Sequence, residues 1–294
     1  MGLSYLSARL SALRSFQNPD GGWGYFPGKR SWLEPTAWAA LALHGDPAAD
    51  RAWALLQSWQ GSDGSWRPSA EVYIEHWDTA LCVTLAAVRG EFREPFHKGV
   101  AWLLNSAGAE SNMLSRVAAA VGLLNAERDL SLKGWPWKPG TSSWVEPTAH
   151  TLVALKKASA KVSDRELAHR VRMGEAQLLD VRSKDGGWNY GSRAALEVDL
   201  PSYPETTALA LVGLQGHAEM RGPIEVAGRM LRGSPSPLAR AWLTIALKLH
   251  DAEVPAIPDE DPSRDTLITA IEALGAAEGN YGFLKAGLKT GEIA

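Results

Sequence analysis

The chain alternates between two kinds of helical segment. Amphipathic stretches, such as Arg51–Trp59 and Arg165–Leu179, carry apolar residues on one face only, which is typical of a helix at a surface. Between them lie stretches such as 38–43 and 150–155, in which small and aliphatic residues occupy nearly every position. A helix that is apolar all round is buried on all sides. The alternation therefore predicts buried inner helices covered by amphipathic outer helices.

Two short signatures recur along the chain and join these segments. The first is a Gly-Trp loop, found as QNPDGGW at 17–23, QGSDGSW at 60–66, SKDGGW at 183–188 and, in weaker form, KGWPW at 133–137. The second places an acid before Thr-Ala at the start of an apolar segment, at Glu34, Asp78, Glu146 and Glu205. Self-similarity of this kind means that one supersecondary unit is repeated. The predicted unit is an outer helix, a Gly-Trp loop and an inner helix.

Counting these units predicts an all-α fold, an α/α toroid with about six inner and six outer helices. The inner helices are predicted to begin near Glu34, His76, Ser111, Glu146, Tyr203 and Ser236. The outer helices are predicted near residues 3–16, 48–59, 94–106, 164–180, 222–232 and 262–275. The Pro- and Asp-rich segment Val254–Arg264 is interpreted as a linker. We therefore expect one domain over residues 1–294.

Composition narrows the functional classes. Hydrophobic residues make up 45% of the chain, which excludes a mainly disordered protein. The net charge of −3 and the absence of a Lys/Arg cluster argue against a nucleic-acid partner. Cys82 is the only cysteine, so neither an internal disulfide nor a Cys-rich zinc site is possible. No apolar run approaches the roughly 18 residues of a membrane span. We expect a cytoplasmic protein, with peripheral membrane contact left open.

The four repeated acids suggest a chemical site. In a toroid the inner helices run parallel, so Glu34, Asp78, Glu146 and Glu205 would ring one mouth of the barrel. Stabilisation of a helix N-terminus, by about 0.3–1 kcal/mol, explains any one of them. Two carboxylates about 6 Å apart would repel by nearly 3 kcal/mol at an effective dielectric of 20. That repulsion keeps one of them protonated, as a general acid requires.

Aromatic residues accompany these acids. Trp32, Trp77, Trp144 and Tyr203 precede the inner helices at the same mouth, and Trp38 and His150 follow an acid by one helical turn. An aromatic rim stabilises a carbocation, by about 2 kcal/mol or more when desolvated. These six residues are the predicted substrate-binding set. The loop residues Trp23, Trp66 and Trp188 are interpreted as packing between repeats.

No cofactor or metal is predicted. His76, Asp78 and Cys82 do not have the spacing of a metal site, and a fourth ligand is missing. The alternative role for His150 is a carboxylate–imidazole pair with Glu146. Phosphate-binding loops, dinucleotide fingerprints and Ser-His-Asp arrangements are absent from the sequence.

Segments 17–24, 31–43 and 52–66 resemble the QW repeats of squalene–hopene and oxidosqualene cyclases, whose superfamily of α/α toroids includes prenyltransferase β-subunits. Segment 185–214 resembles the same cyclases around their catalytic Asp-x-Asp-Asp-Thr-Ala motif. Here the motif reads Tyr-Pro-Glu-Thr-Thr-Ala at 203–208, so Glu205 matches the central Asp and Thr206 replaces the Asp after it. These cyclases have two barrels, whereas this chain has the length of one.

The resemblance implies an enzyme of the isomerase class that binds a linear isoprenoid and starts its cyclisation by protonation, with Glu205 as the leading acid. Two alternatives stay open. One is a non-catalytic toroid that binds a hydrophobic ligand or a partner protein. The other is a β-like subunit of a prenyl-transferring complex, which needs a second chain and a metal.

Overall fold

The computed structural model describes residues 4–111, 117, 129–162, 164–195, 197–256 and 260–286. The helices of these residues are α1 (Tyr5–Phe16), α2 (Leu33–Ala42), α3 (Pro47–Gln57), α4 (Thr79–Arg89), α5 (Glu94–Asn105), α6 (Val145–Ser159), α7 (Arg165–Asp180), α8 (Pro204–Gly213), α9 (Arg221–Gly233), α10 (Pro237–Leu249) and α11 (Thr266–Gly275). Short 3-10 turns cover Ala109–Ser111 and Tyr281–Leu284. A small antiparallel hairpin pairs β1 (Ala194–Ala195) with β2 (Val198–Asp199), with Ala194 opposite Asp199; the sequence did not indicate this hairpin.

The helices form a closed ring with an outer layer. Helices α2, α4, α6, α8, α10 and α11 pack one against the next, and α11 packs against α2 to complete the ring. On the outside, α3, α5 and α7 pack against α2, α4 and α6, whereas α9 packs against α8 and α10, and α1 against α11. The predicted α/α toroid is therefore confirmed.

One helix has a different place from the one predicted. The segment 262–275 was assigned to the outer layer, but α11 is an inner helix that is buried on most of its surface, including Thr269, Ile271 and Leu274. Its sequence, TLITAIEALG, is more apolar than those of the other inner helices, and α1 covers its outer face. The inner helix predicted over 111–126 lies outside the described residues beyond Ser111, and α4 packs directly against α6.

The Gly-Trp loops lock each outer helix to the next inner helix. In all four loops the Trp side chain is buried, and its indole N–H donates to a Leu carbonyl of the preceding outer helix, over 2.6–2.9 Å. The backbone N–H of the same Trp donates to a Thr hydroxyl of the following inner helix, over 2.9–3.0 Å. The Trp and Thr pairs are Trp23 and Thr36, Trp66 and Thr79, Trp135 and Thr148, and Trp188 and Thr207. The structural role predicted for the loop tryptophans is confirmed.

The two glycines of the Gly-Trp loop are required for different physical reasons. In the fourth loop Gly186 has a φ of +92°, in the left-handed region that side chains other than glycine rarely adopt. A Cβ at Gly187 would lie 2.6 Å from the Thr207 hydroxyl oxygen. The Asp-Gly-Gly-Trp sequence therefore supplies a turn and the space in which the loop meets the inner helix.

A second set of backbone contacts ties each loop to the neighbouring repeat. The carbonyls of Pro68, Trp137 and Tyr190, each two residues after a loop Trp, accept hydrogen bonds from Leu33, Trp77 and Val145 at the starts of inner helices. The corresponding carbonyl of Tyr25, in the first loop, accepts a 2.8 Å hydrogen bond from Thr266 of α11. The first repeat and the last inner helix are thus joined by the same contact that joins consecutive repeats.

Candidate functional site at the mouth of the toroid

Because the same Thr–Trp hydrogen bond occurs in four repeats, the bonded threonines align the acids of these repeats with one another. Two residues before the bonded threonines stand Glu34, Trp77, Glu146 and Glu205. Asp78 comes only one residue before Thr79, so it is not the structural equivalent of the three glutamates. Trp77 occupies that position in the second repeat. The sequence-based alignment of Asp78 with the glutamates was therefore displaced by one residue.

Three of the four acids interact with one another at the mouth. Burial, and after it the negative charges of Glu34 and Asp78, together raise the pKa of Glu146 to about 8. Burial also raises the pKa of Glu34 to about 7, with Asp78 as the next cause. The sequence analysis gave mutual repulsion of the carboxylates as the cause of a raised pKa, whereas the first cause in the structure is burial.

Asp78 is the innermost member of this acidic cluster. Its side chain is 2% exposed, and its Oδ2 lies 3.0 Å from Nδ1 of His76 at the rim. Its other oxygen, Oδ1, is buried without a hydrogen-bond partner among the described residues. No group of three or more His, Cys, Asp or Glu side chains in the described part of the chain is arranged to hold a metal ion. The negative charge of Asp78 raises the pKa of both Glu34 and Glu146.

Tyr25 is a member of the site that the sequence analysis missed. Its hydroxyl donates a 2.5 Å hydrogen bond to Oε2 of Glu34, which lowers the pKa of Glu34 and opposes the effect of burial. Burial, the charge of Glu34 and this hydrogen bond all raise the pKa of Tyr25 itself. A signal was present in the sequence: Tyr25, Trp137 and Tyr190 each stand two residues after a loop Trp. The carbonyl of this position links neighbouring repeats, so its side chain lies at the mouth.

Glu205, the acid favoured by the cyclase resemblance, has different surroundings. Its Oε1 accepts a 3.2 Å hydrogen bond from the Ser236 hydroxyl at the start of α10. Its charge acts chiefly on Tyr190, whose pKa is raised by burial and then by Glu205. The charges that raise the pKa of Glu146 are those of Glu34 and Asp78. Glu205 is thus placed at the mouth but outside the acidic cluster.

The predicted aromatic set divides into a rim and a core. Trp144 and Tyr203 are 37% and 40% exposed, and Tyr190 lies between them with ring centroids 6.3 and 5.1 Å away. Trp32 lies on another side of the mouth, 6.4 Å from the ring of Tyr25. Trp32, Trp144 and Tyr203 therefore have the rim positions that the sequence indicated.

Trp38, Trp77 and His150 form the core part, with Trp242 as a further member. The ring of His150 lies 5.2–5.6 Å from the three Trp rings, and Trp77 is stacked on it. Trp77 was expected at the rim, but it is only 3% exposed because its indole packs inward against His150 and Trp137. These rings form the floor beneath the acidic cluster.

His150 and Glu146 do not form the carboxylate–imidazole pair that the sequence offered as an alternative. Burial lowers the pKa of His150 to about 3, so the imidazole is neutral, and its Nε2 has no hydrogen-bond partner among the described residues. Its contacts are aromatic rings rather than a carboxylate. Cys82 and Leu209, one turn after Asp78 and Glu205, are buried residues of the core.

Comparisons with known proteins identify the fold. No protein-family model and no curated protein matches the chain. Among solved structures, the type II terpene cyclase MstE from Scytonema, in complex with geranylgeranyl dihydroxybenzoate, is 17% identical with a TM-score of 0.52, covering 92% of this chain and 76% of the cyclase.

Two glycoside hydrolases are also similar. A family 8 endoglucanase from Klebsiella pneumoniae is 14% identical with a TM-score of 0.58, covering 91% of this chain and 98% of the enzyme. An alpha-1,6-mannanase from Salegentibacter is 9% identical with a TM-score of 0.60, covering 92% and 99%. Identities this low show a common α/α toroid fold, and enzymes of different chemistry share it.

Proposed function

We propose that this protein binds a linear isoprenoid at the mouth of the toroid and starts its cyclisation by protonating an alkene. The observation that carries the proposal is a half-buried carboxyl, Glu146, whose pKa is raised to about 8 and which lies one helical turn from a cluster of aromatic rings around His150. A general acid needs a pKa near the working pH, and an alkene needs an acid in a site from which water is excluded.

Glu146 is the preferred proton donor, in place of Glu205. In the proposed step the alkene π electrons form a new C–H bond with the proton of Glu146, whose carboxyl becomes a carboxylate. The neighbouring carbon becomes a tertiary cation, and further π bonds attack it to close rings. Loss of a proton from the last cation ends the reaction. Burial, Glu34 and Asp78 all favour the protonated form of Glu146 before the step.

In the proposed reaction the aromatic residues stabilise the cation that protonation by Glu146 creates. The rings of Trp38, Trp77 and Trp242 pack around His150 below the acids, and a cation that meets a ring face in a desolvated site gains about 2 kcal/mol or more. At the rim, Trp144, Tyr190 and Tyr203 offer exposed ring faces to the part of the substrate that stays near solvent. The cyclase similar in structure was crystallised with a prenylated aromatic acid. A substrate with an aromatic or other polar head at this rim fits the same arrangement.

Glycoside hydrolysis is the second candidate. It also uses a protonated carboxyl with a raised pKa beside an ionised one, and Glu146 lies in the field of Asp78. Exposed rim aromatics stack on sugar rings as well as on isoprenoids. The enclosed aromatic floor, which offers few hydrogen-bonding groups, favours the isoprenoid.

The experiment incubates the purified protein in detergent with squalene, oxidosqualene, geranylgeranyl diphosphate or a geranylgeranylated hydroxybenzoate, followed by mass spectrometry for cyclised isomers. Carboxymethylcellulose and alpha-1,6-mannan are tested in parallel for release of reducing sugar. A cyclised product that Glu146→Gln abolishes and Glu205→Gln retains supports the proposal.

Other results assign the other functions. Sugar release would favour the hydrolase. Isoprenoid that co-purifies without turnover would favour the non-catalytic toroid. Turnover that requires zinc and a second chain would favour the prenyl-transferring subunit.

A further inference from the structure

A cavity of about 440 Å³ lies where the outer helix α1 and the linker after α10 meet the inner helices α10 and α11. The acids and the aromatic residues of the mouth take no part in its wall. Its volume is in the range of small-molecule sites, roughly 300–1,000 Å³, whose walls are mostly apolar and carry a few polar groups. The cavity is therefore a second candidate site, separate from the acidic cluster.

The cavity results from a difference between this part of the outer layer and the rest. In the described chain an outer helix, α3, α5, α7 or α9, stands between consecutive inner helices, whereas residues 250–265 join α10 to α11. Pro255, Pro258 and Pro262 interrupt that segment, and its described part contains no helix. Val254 and Pro255 line the cavity from this side. An irregular linker thus stands where the face of a helix would pack, and space remains beneath it.

The wall contains three cations and two carboxylates, and one cation lacks a carboxylate partner. Nε of the buried Arg9 lies 2.8 Å from a carboxylate oxygen of Glu272. Nη2 of Arg240 lies 2.9 Å from a carboxylate oxygen of Glu260. Lys248 forms no ion pair with a carboxylate of the described residues, and its hydrogen bonds go to backbone carbonyls. The unbalanced positive charge of the cavity is therefore that of Lys248.

Lys248 keeps one hydrogen-bond donor for a ligand. Its Nζ donates to the backbone carbonyls of Gly275 and Ala276, both over 2.8 Å, and lies 5.1 Å from the centre of the Tyr281 ring. An ammonium group has three donors, so the third has no acceptor in the part of the chain that the structure describes. Burial lowers the pKa of Lys248, as expected of a cation that has lost water without gaining a counter-ion. An anionic group beside Nζ would supply both the acceptor and the charge.

The rest of the cavity suits an apolar chain. Arg240 and Lys248 lie about two turns apart on one face of α10, which separates them by about 12 Å along the helix axis. Ala241 of this helix and Val254 and Pro255 of the linker contribute apolar surface to the wall. Covering such surface with an apolar chain removes it from water, which is favourable.

We propose that this cavity binds a small monocarboxylate with an apolar body, such as a medium-chain fatty acid, with its carboxylate on Lys248 and its chain along α10 towards Arg240. One negative charge balances the one unpaired cation. A neutral apolar molecule would leave the donor of Lys248 unused, and a second carboxylate would meet guanidinium groups that already have partners. The inference goes beyond the proposed function, since the cavity shares no residue with the acidic cluster.

The test titrates octanoate into the whole protein at pH 7 and measures binding by isothermal titration calorimetry, with octan-1-ol as the neutral probe of equal chain length. No detergent is added, because it would compete for an apolar cavity, and none of the described helices has the length and hydropathy to span a bilayer. Octanoate is expected to saturate a single site and to bind at least about tenfold more tightly than octan-1-ol, because hydrogen bonds between charged groups are the stronger ones.

Two variants locate the site. Lys248→Gln keeps hydrogen-bond donors for the carbonyls at the end of α11 but removes the charge, and it should weaken octanoate binding by at least about tenfold. Ala241→Leu fills the apolar part of the cavity and leaves Lys248 in place, so it should weaken the binding of octanoate and of octan-1-ol alike. The matched control is Lys98→Gln on α5, where Lys98 pairs with Glu94 at the surface, and it should bind octanoate like the wild type. Thermal melting checks that each variant is folded.

Wild-type protein that does not bind octanoate would overturn the proposal, as would equal affinities for octanoate and octan-1-ol. So would an unchanged octanoate affinity in the folded Lys248→Gln or Ala241→Leu variant. The titration contains no isoprenoid, so its outcome is independent of whether the protein cyclises one.

Discussion

Glu146 and Glu205 occupy equivalent places in two repeats, but the structure surrounds them differently. Both stand two residues before the threonine that holds a loop Trp, in the first turn of an inner helix. Glu146 is enclosed beside Glu34 and Asp78, and its pKa is raised to about 8. Glu205 accepts a hydrogen bond from Ser236, and its charge is one of the causes that raise the pKa of Tyr190. A repeated motif thus places an acid at the mouth, and the neighbours of the acid decide its chemical role.

Replacing one acid at a time tests whether Glu146 and Glu205 have different roles, and it has the largest expected effect. Glu146→Gln keeps the shape of the side chain but removes its proton, so turnover of a cyclisable isoprenoid should fall by about 10²–10⁴-fold. Glu205→Gln should reduce it less than about tenfold. Initial rates by mass spectrometry measure both. A larger loss for Glu205→Gln than for Glu146→Gln would return the role of acid to the residue that the cyclase motif favours.

The next largest expected effect is on the free energy of unfolding, where tryptophans of the loops and of the rim should differ. Trp188 is fully buried, and its indole N–H donates a hydrogen bond to the Leu178 carbonyl, so Trp188→Ala should lower the free energy of unfolding by about 3–5 kcal/mol. Trp144 is 37% exposed, and Trp144→Ala should cost less than about 1 kcal/mol. Urea denaturation of the two variants tests this. Equal losses would mean that the rim residue also holds repeats together.

The raised pKa of Glu146 predicts a pH-dependent stability. The folded-state value of about 8 lies above the ordinary value of 4.5, so the unfolded chain releases this proton at lower pH than the folded one. The stabilising contribution is therefore complete below about pH 4.5 and is lost as pH rises to about 8. Relative to wild type, Glu146→Gln should gain stability over this window, by up to about 5 kcal/mol at its upper end. The same gain for Glu205→Gln would show that the two sites are alike.

The smallest effect concerns the hydrogen bond between Tyr25 and Glu34. Because this bond lowers the pKa of Glu34, Tyr25→Phe should raise that pKa, by less than about one unit. Carbon-13 NMR of labelled Glu carboxyls during a pH titration measures the shift, and Glu205, which lies outside the acidic cluster, serves as the internal reference. A fall in the pKa of Glu34 would mean that Tyr25 acts mainly by excluding water.

Some features could be predicted from sequence because they depend on residues close together in the chain. The apolar and amphipathic helices follow from periodicity, and the Asp-Gly-Gly-Trp loops follow from backbone conformation and one large side chain at Trp23, Trp66 and Trp188. Placing Glu34, Glu146 and Glu205 at one mouth needed only the parallel direction of the inner helices. The sequence analysis placed α11 in the outer layer, although its apolar sequence is typical of an inner helix.

The sequence alone determined the alternation of buried and amphipathic helices, the loops that join them, and hence a toroid with acids and aromatics at one end. Only the tertiary structure decided which of these residues meet. In the structure Asp78 is one residue out of register with the glutamates, and Trp77 packs inward against His150. Asp78 also lies close enough for its charge to raise the pKa of Glu34 and of Glu146. The physical reason is that burial and charge depend on neighbours from other repeats, and pairing between repeats is fixed only when the ring closes.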